Sequence, residues 1–390
     1  MSSVESAENN VEAQSRAELW ASTMAGNHSS DVITAHKEPI QYIPFDGAES
    51  VLSTSDLLDV SNRLEIERST YSRSATFSSK EGIRAKKETQ EQHGSGMTSS
   101  ILFRTNFEHD RDRILHSQPF RRLAGKTQVH LNPDDHQRTR LTHALEVAQI
   151  AKAIARALRL NETLAEAIAL GHDCGHGPGG HASEDAFDIY LPGGFNHAIF
   201  GADVTLRRLN LCVETLDGIR NHSWSLNTPM TPEAEIVSFA DRIAYVCHDA
   251  EDALSCEMIT PENYPKHLKD FLVRSKGQQI DFFIRGVLEG TLSSGIISIS
   301  KEAGEILSEY RKFNYEYIYQ HPRSVEQNEH VIFMLRNLVD FYIDNFELLP
   351  TSYRQGVRLE KGDISRAVVE YVAGMTDDYA SEKYELYLNN

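Results

Sequence analysis

Leu141, Leu145, Ala148, Ala151, Ala155 and Leu158 recur at the spacing of a buried helical stripe, and Val147, Ile150 and Ile154 widen it. A helix from about Arg140 follows. Arg140 and His143 stand three residues apart near its start, so they project from neighbouring positions. A second apolar run, LAEAIALGH, predicts a helix with Asn161 as N-cap and Glu162 at its positive end, stopped by Gly175 and Gly177. A third helix carries its own start signal in Thr231-Pro232-Glu233 and continues as AEIVSFADRIAYVCHDAEDAL. On it Ile236, Val237, Phe239, Ala240, Ile243 and Val246 are apolar. Asp241, Tyr245 and Asp249, spaced i, i+4, i+8, share one face. This is the pattern of a core helix that presents a polar strip to a cavity.

The flanks are less regular. Residues 1–60 are polar and show no sustained period, the composition of a disordered extension. Residues 61–135 form an arm, rich in Arg, Lys, Ser and Thr, that leads into FEHDRDRILHSQPFRRLAGKTQVHL. This reads as a short helix, a break near Pro119 and a second helical turn. Its basic residues (Arg111, Arg113, Arg121, Arg122, Lys126) face either phosphate or solvent. Residues 136–255 hold the three helices above. Residues 256–390 form a C-terminal helical region packed on that core, with HVIFMLRNLVDFYIDNF and AVVEYVAGM as its clearest runs. IISIS (Ile296 to Ser300) is a strand candidate. The expected fold class is all-α.

Composition narrows the options. The 390 residues carry a net charge of −18, which argues against a broad nucleic-acid-binding surface and requires metal and local basic side chains to neutralise any anionic substrate. The four cysteines (Cys174, Cys212, Cys247, Cys256) lack CxxC spacing and read as reduced thiols. No leader pattern and no apolar run of membrane-spanning length appears, so a cytoplasmic location is expected.

The chemistry concentrates in RTRLTHALEV and GHDCGHGPGGHASE. A lone helical His is usually a satisfied polar residue, but here His143, His172, Asp173 and Asp241 come from three different helices. Two imidazoles and two carboxylates suit one divalent ion (Mn, Mg, Co, Fe or Ni, with Mn or Mg foremost) and leave positions for water and a phosphate oxygen. His181 and Glu184 are one helical turn apart, so their side chains can meet.

These spacings resemble the HD-domain phosphohydrolase superfamily. RDRILHSQPFRRLAGKTQV, RTRLTHALEVAQIAKAIARAL, AEAIALGHDCGHGPGGHASEDAF, FADRIAYVCHDAEDA and VVEYVAGMTDDYA narrow the resemblance to deoxyguanosinetriphosphate triphosphohydrolases and their relatives, from roughly Arg63 to the C-terminus. The resemblance makes 136–255 the HD domain and implies hydrolysis of deoxynucleoside triphosphates to deoxynucleoside and inorganic triphosphate. It makes His143, His172, Asp173 and Asp241 the metal ligands, His181 the acid and Glu184 its orienting partner. His176 would lie near the phosphates, and His197 matches a further active-site histidine. Gln128 and Asp249 would hold the 3′-hydroxyl, Tyr245 would exclude a 2′-hydroxyl, and Arg140 and Arg242 would meet the triphosphate. A homo-oligomer, often hexameric in the family, and activation by a dNTP or single-stranded DNA are also implied. Many relatives carry a bulkier hydrophobic residue at position 174 and Phe in the turn that follows, a difference that either widens the pocket or loosens His181, unless Cys174 is simply a small packing residue. The alternatives are an HD phosphohydrolase for another nucleotide and a non-catalytic nucleotide-binding regulator.

Overall fold

The computed structural model describes residues 60–78, 104–129, 138–355, 357 and 361–388, with the backbone of 27–28 and 33–34. The chain divides into 1–58 and 59–390. In the first unit Asn27–His28 pairs antiparallel with Ile33–Thr34. The expected disorder of 1–60 otherwise lies outside the described residues.

The second unit is helical. Its principal helices are α1 (Val60–Thr70), α2 (Asn106–Leu115), α3 (Arg140–Ala157), α4 (Glu162–Gly171), α5 (His181–Phe187), α6 (His197–Phe200), α7 (Val213–Arg220) and α8 (Pro232–Ser255). Beyond them come α9 (Lys276–Ser294), α10 (Lys301–Asn314), α11 (Pro322–Asp344), α12 (Lys361–Ala373) and α13 (Asp377–Leu388). The three expected start signals cap as anticipated. The side chains of Thr139, Asn161 and Thr231 accept from the backbone N–H of Thr142, Leu164 and Ala234, which satisfies donors that a helix start leaves open.

The α3, α4 and α8 helices pack together around Val147, Ile150, Ile154, Leu164, Ile168, Ile236 and Ile243, all fully buried. Each such side chain contributes about 1.5–3 kcal/mol on burial. The buried arc of α3 centres on Ala144, Val147, Ala151 and Ile154, so Leu145, expected in the stripe, faces outward at 49% exposure. A second core lies under α5, where Phe187, Phe195 and Phe200 meet Leu335, Leu338 and Val339 of α11 and Val368, Val369 and Val372 of α12. The C-terminal helices therefore support the element that carries His181 and Glu184.

Two local expectations change and one holds. Helix α4 stops at Gly171, four residues before the anticipated glycines, and so His172 and Asp173 stand at and just beyond its end. The break expected near Pro119 falls at His116 and Ser117, and the second helical turn follows it. Ser117 caps a new turn, Gln118–Arg122, and Pro119 sits inside its first turn, where its missing N–H costs nothing. Ile296 to Ser300 is a loop and not a strand, because its polar backbone is satisfied by α9: Ser300 N–H donates to Gly286 O at 2.7 Å and Ser298 N–H to Thr291 Oγ1 at 3.2 Å. The described part of the arm docks on the core. Thr76 donates from its backbone N–H and its hydroxyl to the buried Glu233 carboxylate, which also accepts Asn161 N–H.

Candidate active site

The first turn of α3 presents His143, whose Nε2 lies 3.0 Å from Asp241 Oδ1 on α8. At the end of α4, His172 Nδ1–H donates to Ala169 O at 2.6 Å. That bond fixes the tautomer and leaves a lone pair on Nε2, which is buried with no hydrogen-bond partner. The same Nε2 stands 3.4 Å from Asp173 Oδ1 and 3.7 Å from Asp241 Oδ1. Asp173 Oδ2 accepts from Arg140 Nη1 at 2.7 Å, and both side chains are almost fully buried. Two overlapping sets, His143/His172/Asp241 and His172/Asp173/His222, each bring one donor atom per residue within 4.8 Å of the others. A buried imidazole lone pair with nothing to accept from, beside two carboxylates, fits a divalent cation.

The charges are interdependent. Burial pushes Asp173 and Asp241 up, but His172 with Arg140 and His176 around the first, and His143 with His172 around the second, hold both well below the usual carboxylate range. Burial pushes His172 down, and with no cation beside it the Asp173 and Asp241 carboxylates outweigh burial and hold it up at about 9, so a cation on Nε2 would take the place of a proton there.

Beside this centre lies a second imidazole cluster. Gly175 lets the turn approach α6, since a Cβ there would meet the backbone of His197 and Gly201. The His176 and His197 rings stack with centroids 3.7 Å apart, and His176 Nε2 is 3.2 Å from Asp173 Oδ1. Glu184 Oε1 lies 3.2 Å from His181 Nδ1 and also bonds His197 Nδ1. Burial raises Glu184, yet its bonds with His181 and His197 bring it well below its ordinary value. His181 is 76% exposed at the side chain and open to a ligand.

These groups line a cavity of about 520 Å³. All the anticipated site residues border it except His172 and Glu184, which sit behind its wall. Asp241, Tyr245 and Asp249 face it from one side of α8, as their spacing required. Asp249 accepts from Tyr319 O–H, and burial, against that bond, pushes its carboxyl up to about 7. Gln128 Oε1 is buried there without a partner. The Arg242 guanidinium stacks 3.6 Å above Trp224, while Arg140 is held by Asp173. Of the tyrosines in FNYEYIYQHP, Tyr315 and Tyr319 line the cavity and Tyr317 stacks on Phe313.

Sequence reasoning missed His222, Arg311 and Trp224. His222 Nδ1–H donates to Ile219 O at 2.8 Å, and its Nε2 lies 3.2 Å from His197 Nε2. It follows α7 in a short NHS stretch with no periodic partner, and Arg311 looks like any polar residue on an amphipathic helix. The basic cluster before α3 does not border the cavity. Arg111 pairs with Asp112, Arg113 donates to Leu209 O and Asn210 O, and Lys126 is buried. Lys126 Nζ donates to His176 O and Ala373 O, and Asp377 accepts from Thr127 N–H and Gly179 N–H. The end of α12 and the start of α13 thus brace the histidine turn. Cys174 does not widen the cavity. It is a buried packing residue whose thiol burial pushes up to about 12.

Residues 140–246 match the HD domain model and residues 297–386 the phosphohydrolase-associated domain. The chain is 44% identical over 294 residues to a deoxyguanosinetriphosphate triphosphohydrolase-like protein of Caldanaerobacter subterraneus subsp. tengcongensis, covering 73% of this chain and 86% of that one. It is 40% identical over 296 residues to a protein of the same description from Clostridium perfringens, covering 72% and 86%. It is 33% identical over 345 residues to one from Bordetella pertussis, covering 72% and 89%. A solved phosphohydrolase from Bacteroides thetaiotaomicron aligns over 72% of this chain and 69% of its own, with a TM-score of 0.48 and 17% identity. Among the described residues no helix is long and apolar enough to cross a membrane.

Proposed function

The chain belongs to the deoxyguanosinetriphosphate triphosphohydrolase-like family of HD-domain phosphohydrolases, and we propose that it hydrolyses deoxynucleoside triphosphates to deoxynucleoside and inorganic triphosphate. The observation that carries this reading is one cavity that brings together a His/Asp donor set, the exposed His181 imidazole and the polar pair Gln128 and Asp249 suited to a sugar.

His143, His172, Asp173 and Asp241 would hold one divalent ion, Mn or Mg foremost. When bound, such an ion supplies Lewis-acid polarisation of a phosphate oxygen and of the attacking water. The protein's own groups do the rest. Arg140 neutralises and orients Asp173, and Arg242 and Arg311 bring positive charge to the cavity wall of a chain with net charge −18. His181, oriented through Nδ1 by Glu184, keeps Nε2 free to protonate the departing 5′-oxygen. His176 and His197 line the path between that acid and Asp173. Gln128, with its unsatisfied Oε1, and Asp249, oriented by Tyr319, form a pair for the 3′-hydroxyl. Tyr245 beside them packs against C2′ and takes the space of a 2′-hydroxyl, which makes ribonucleotides poorer substrates.

Turnover of the four dNTPs, singly and mixed, beside the four ribonucleotides tests this reading, with Mn²⁺, Mg²⁺ and Co²⁺ each supplied. Release of intact triphosphate from a dNTP supports it. Turnover confined to a monophosphate or cyclic nucleotide overturns it. The mixed reactions also read activation by a second nucleotide, and native mass measurement reads the homo-oligomer that the family implies.

A further inference from the structure

His143 meets the proposed metal centre through Nε2, the nitrogen that faces Asp241. A cation there takes the Nε2 lone pair and leaves the ring proton on Nδ1. That Nδ1 is buried with no hydrogen-bond partner. Leaving a buried N–H unpaired forfeits its solvation with nothing in return. Metal-bound imidazoles therefore almost always pass their second N–H to a carboxylate, a carbonyl or a water, and His172 already does so to Ala169.

For His143 the carboxylate within reach is Glu146, three residues further along α3 and so on the same face. His143, Glu146 and His248 bring one donor atom each within 4.8 Å of one another. His248 Nδ1 stands 2.9 Å from Glu146 Oε2 and steadies that carboxylate, which keeps further lone pairs for a second imidazole. Arg138 Nε donates to both Glu146 oxygens, at 3.2 and 3.1 Å. Arg138 is in turn held by Asp252 at 2.5 Å and Glu251 at 2.6 Å, both on α8. A guanidinium against the carboxylate makes this trio a poor second cation site and a well-anchored acceptor.

We propose that Glu146 is the outer carboxylate that accepts His143 Nδ1–H, and that Arg138 and His248 hold it in place. Glu146 is then a positioning residue: it selects the His143 tautomer that offers Nε2 to the ion and raises the basicity of that nitrogen. The inference rests on the metal reading above and adds to it a carboxylate outside the donor set.

The test is Mn²⁺ affinity of the full chain, measured by calorimetry and by the paramagnetic signal of free Mn²⁺. Glu146→Gln keeps size and an acceptor oxygen but loses the charge, and affinity should fall about tenfold; Glu146→Ala, which removes the acceptor, should approach the hundredfold end of the range seen for such partners. Asp252→Asn breaks one Arg138 ion pair but leaves Arg138 on Glu251 and the Glu146 carboxylate beside His143, and should lower affinity less than twofold. Wild-type affinity in both Glu146 variants overturns the proposal, as does an equal loss in Glu146→Gln and Asp252→Asn. Should Glu146→Ala fail to fold, Glu146→Gln decides. A wild-type chain that binds no divalent ion overturns the metal reading itself, and this inference with it.

Discussion

Gly180 is where backbone, ion pair and site meet, and replacing it with Ala tests their coupling. The residue precedes α5 at φ 61° and ψ −123°, a region closed to side chains. An added Cβ would lie 2.3 Å from Arg140 Nη2. An exposed Arg would swing aside, but Arg140 is 1% exposed and its Nη1 is bonded to Asp173. The backbone strain costs about 1–3 kcal/mol. Displacing the guanidinium leaves Asp173 buried without its partner, which adds about 3–5 kcal/mol. Gly193→Ala is the control, since its φ is 92° but nothing lies within 4 Å of an added Cβ, so only the backbone cost applies. Chemical and thermal denaturation of both full-length variants, with dNTP turnover alongside, reads the difference. Gly180→Ala should lose about 3 kcal/mol more than Gly193→Ala and most of its turnover. Equal losses in the two variants would refute the coupling of the turn to Arg140 and Asp173.

Three further outcomes follow from the same geometry. Burial raises the Asp249 carboxyl from 3.8 to about 7, so the folded state holds its proton more tightly than the unfolded chain. The associated stability, roughly 4 kcal/mol, is fully present below pH 4 and lost as pH rises through 7. In chelator-treated protein Asp249→Asn should remove that part of the pH dependence in denaturant melts, and should raise KM for dNTPs. Asp241→Ala should lose bound metal and turnover together, whereas His181→Ala should keep metal and lose turnover, which metal analysis beside a rate assay separates. Asp377→Ala removes two charge-assisted bonds to the backbone of Thr127 and Gly179, and should cost about 3 kcal/mol in melts and lower turnover although Asp377 lies outside the cavity lining.

What the sequence made legible was local. The caps at Thr139, Asn161 and Thr231 and the strip of Asp241, Tyr245 and Asp249 depend on spacing along one helix, and spacing is written in the chain. The outward turn of Leu145 was not legible, because Ala144 and Ala148 bury as readily as Leu and the choice between arcs belongs to the packing of α4 and α8. The close packing at Gly171, where a Cβ would meet Ile219 and Ile114, was not legible either, since those contacts exist only once α2 and α7 have packed. His222, Arg311 and the Lys126–Asp377 brace reach the site from distant segments, and no periodicity announces them. For the basic run before α3 the sequence left phosphate and a neutralised helix face open, and Arg111 on Asp112, Arg113 on backbone carbonyls and the buried Lys126 take it away from the cavity.

The central claim is a cleavage that leaves the triphosphate whole, and the position of the solvent oxygen tests it most directly. One dNTP is turned over in ¹⁸O-labelled water with the favoured metal, and the products are separated and weighed. The account predicts deoxynucleoside and inorganic triphosphate in equal amounts, with one ¹⁸O in the triphosphate and none in the deoxynucleoside. Pyrophosphate or orthophosphate as the first product, or label in the nucleoside, would contradict it.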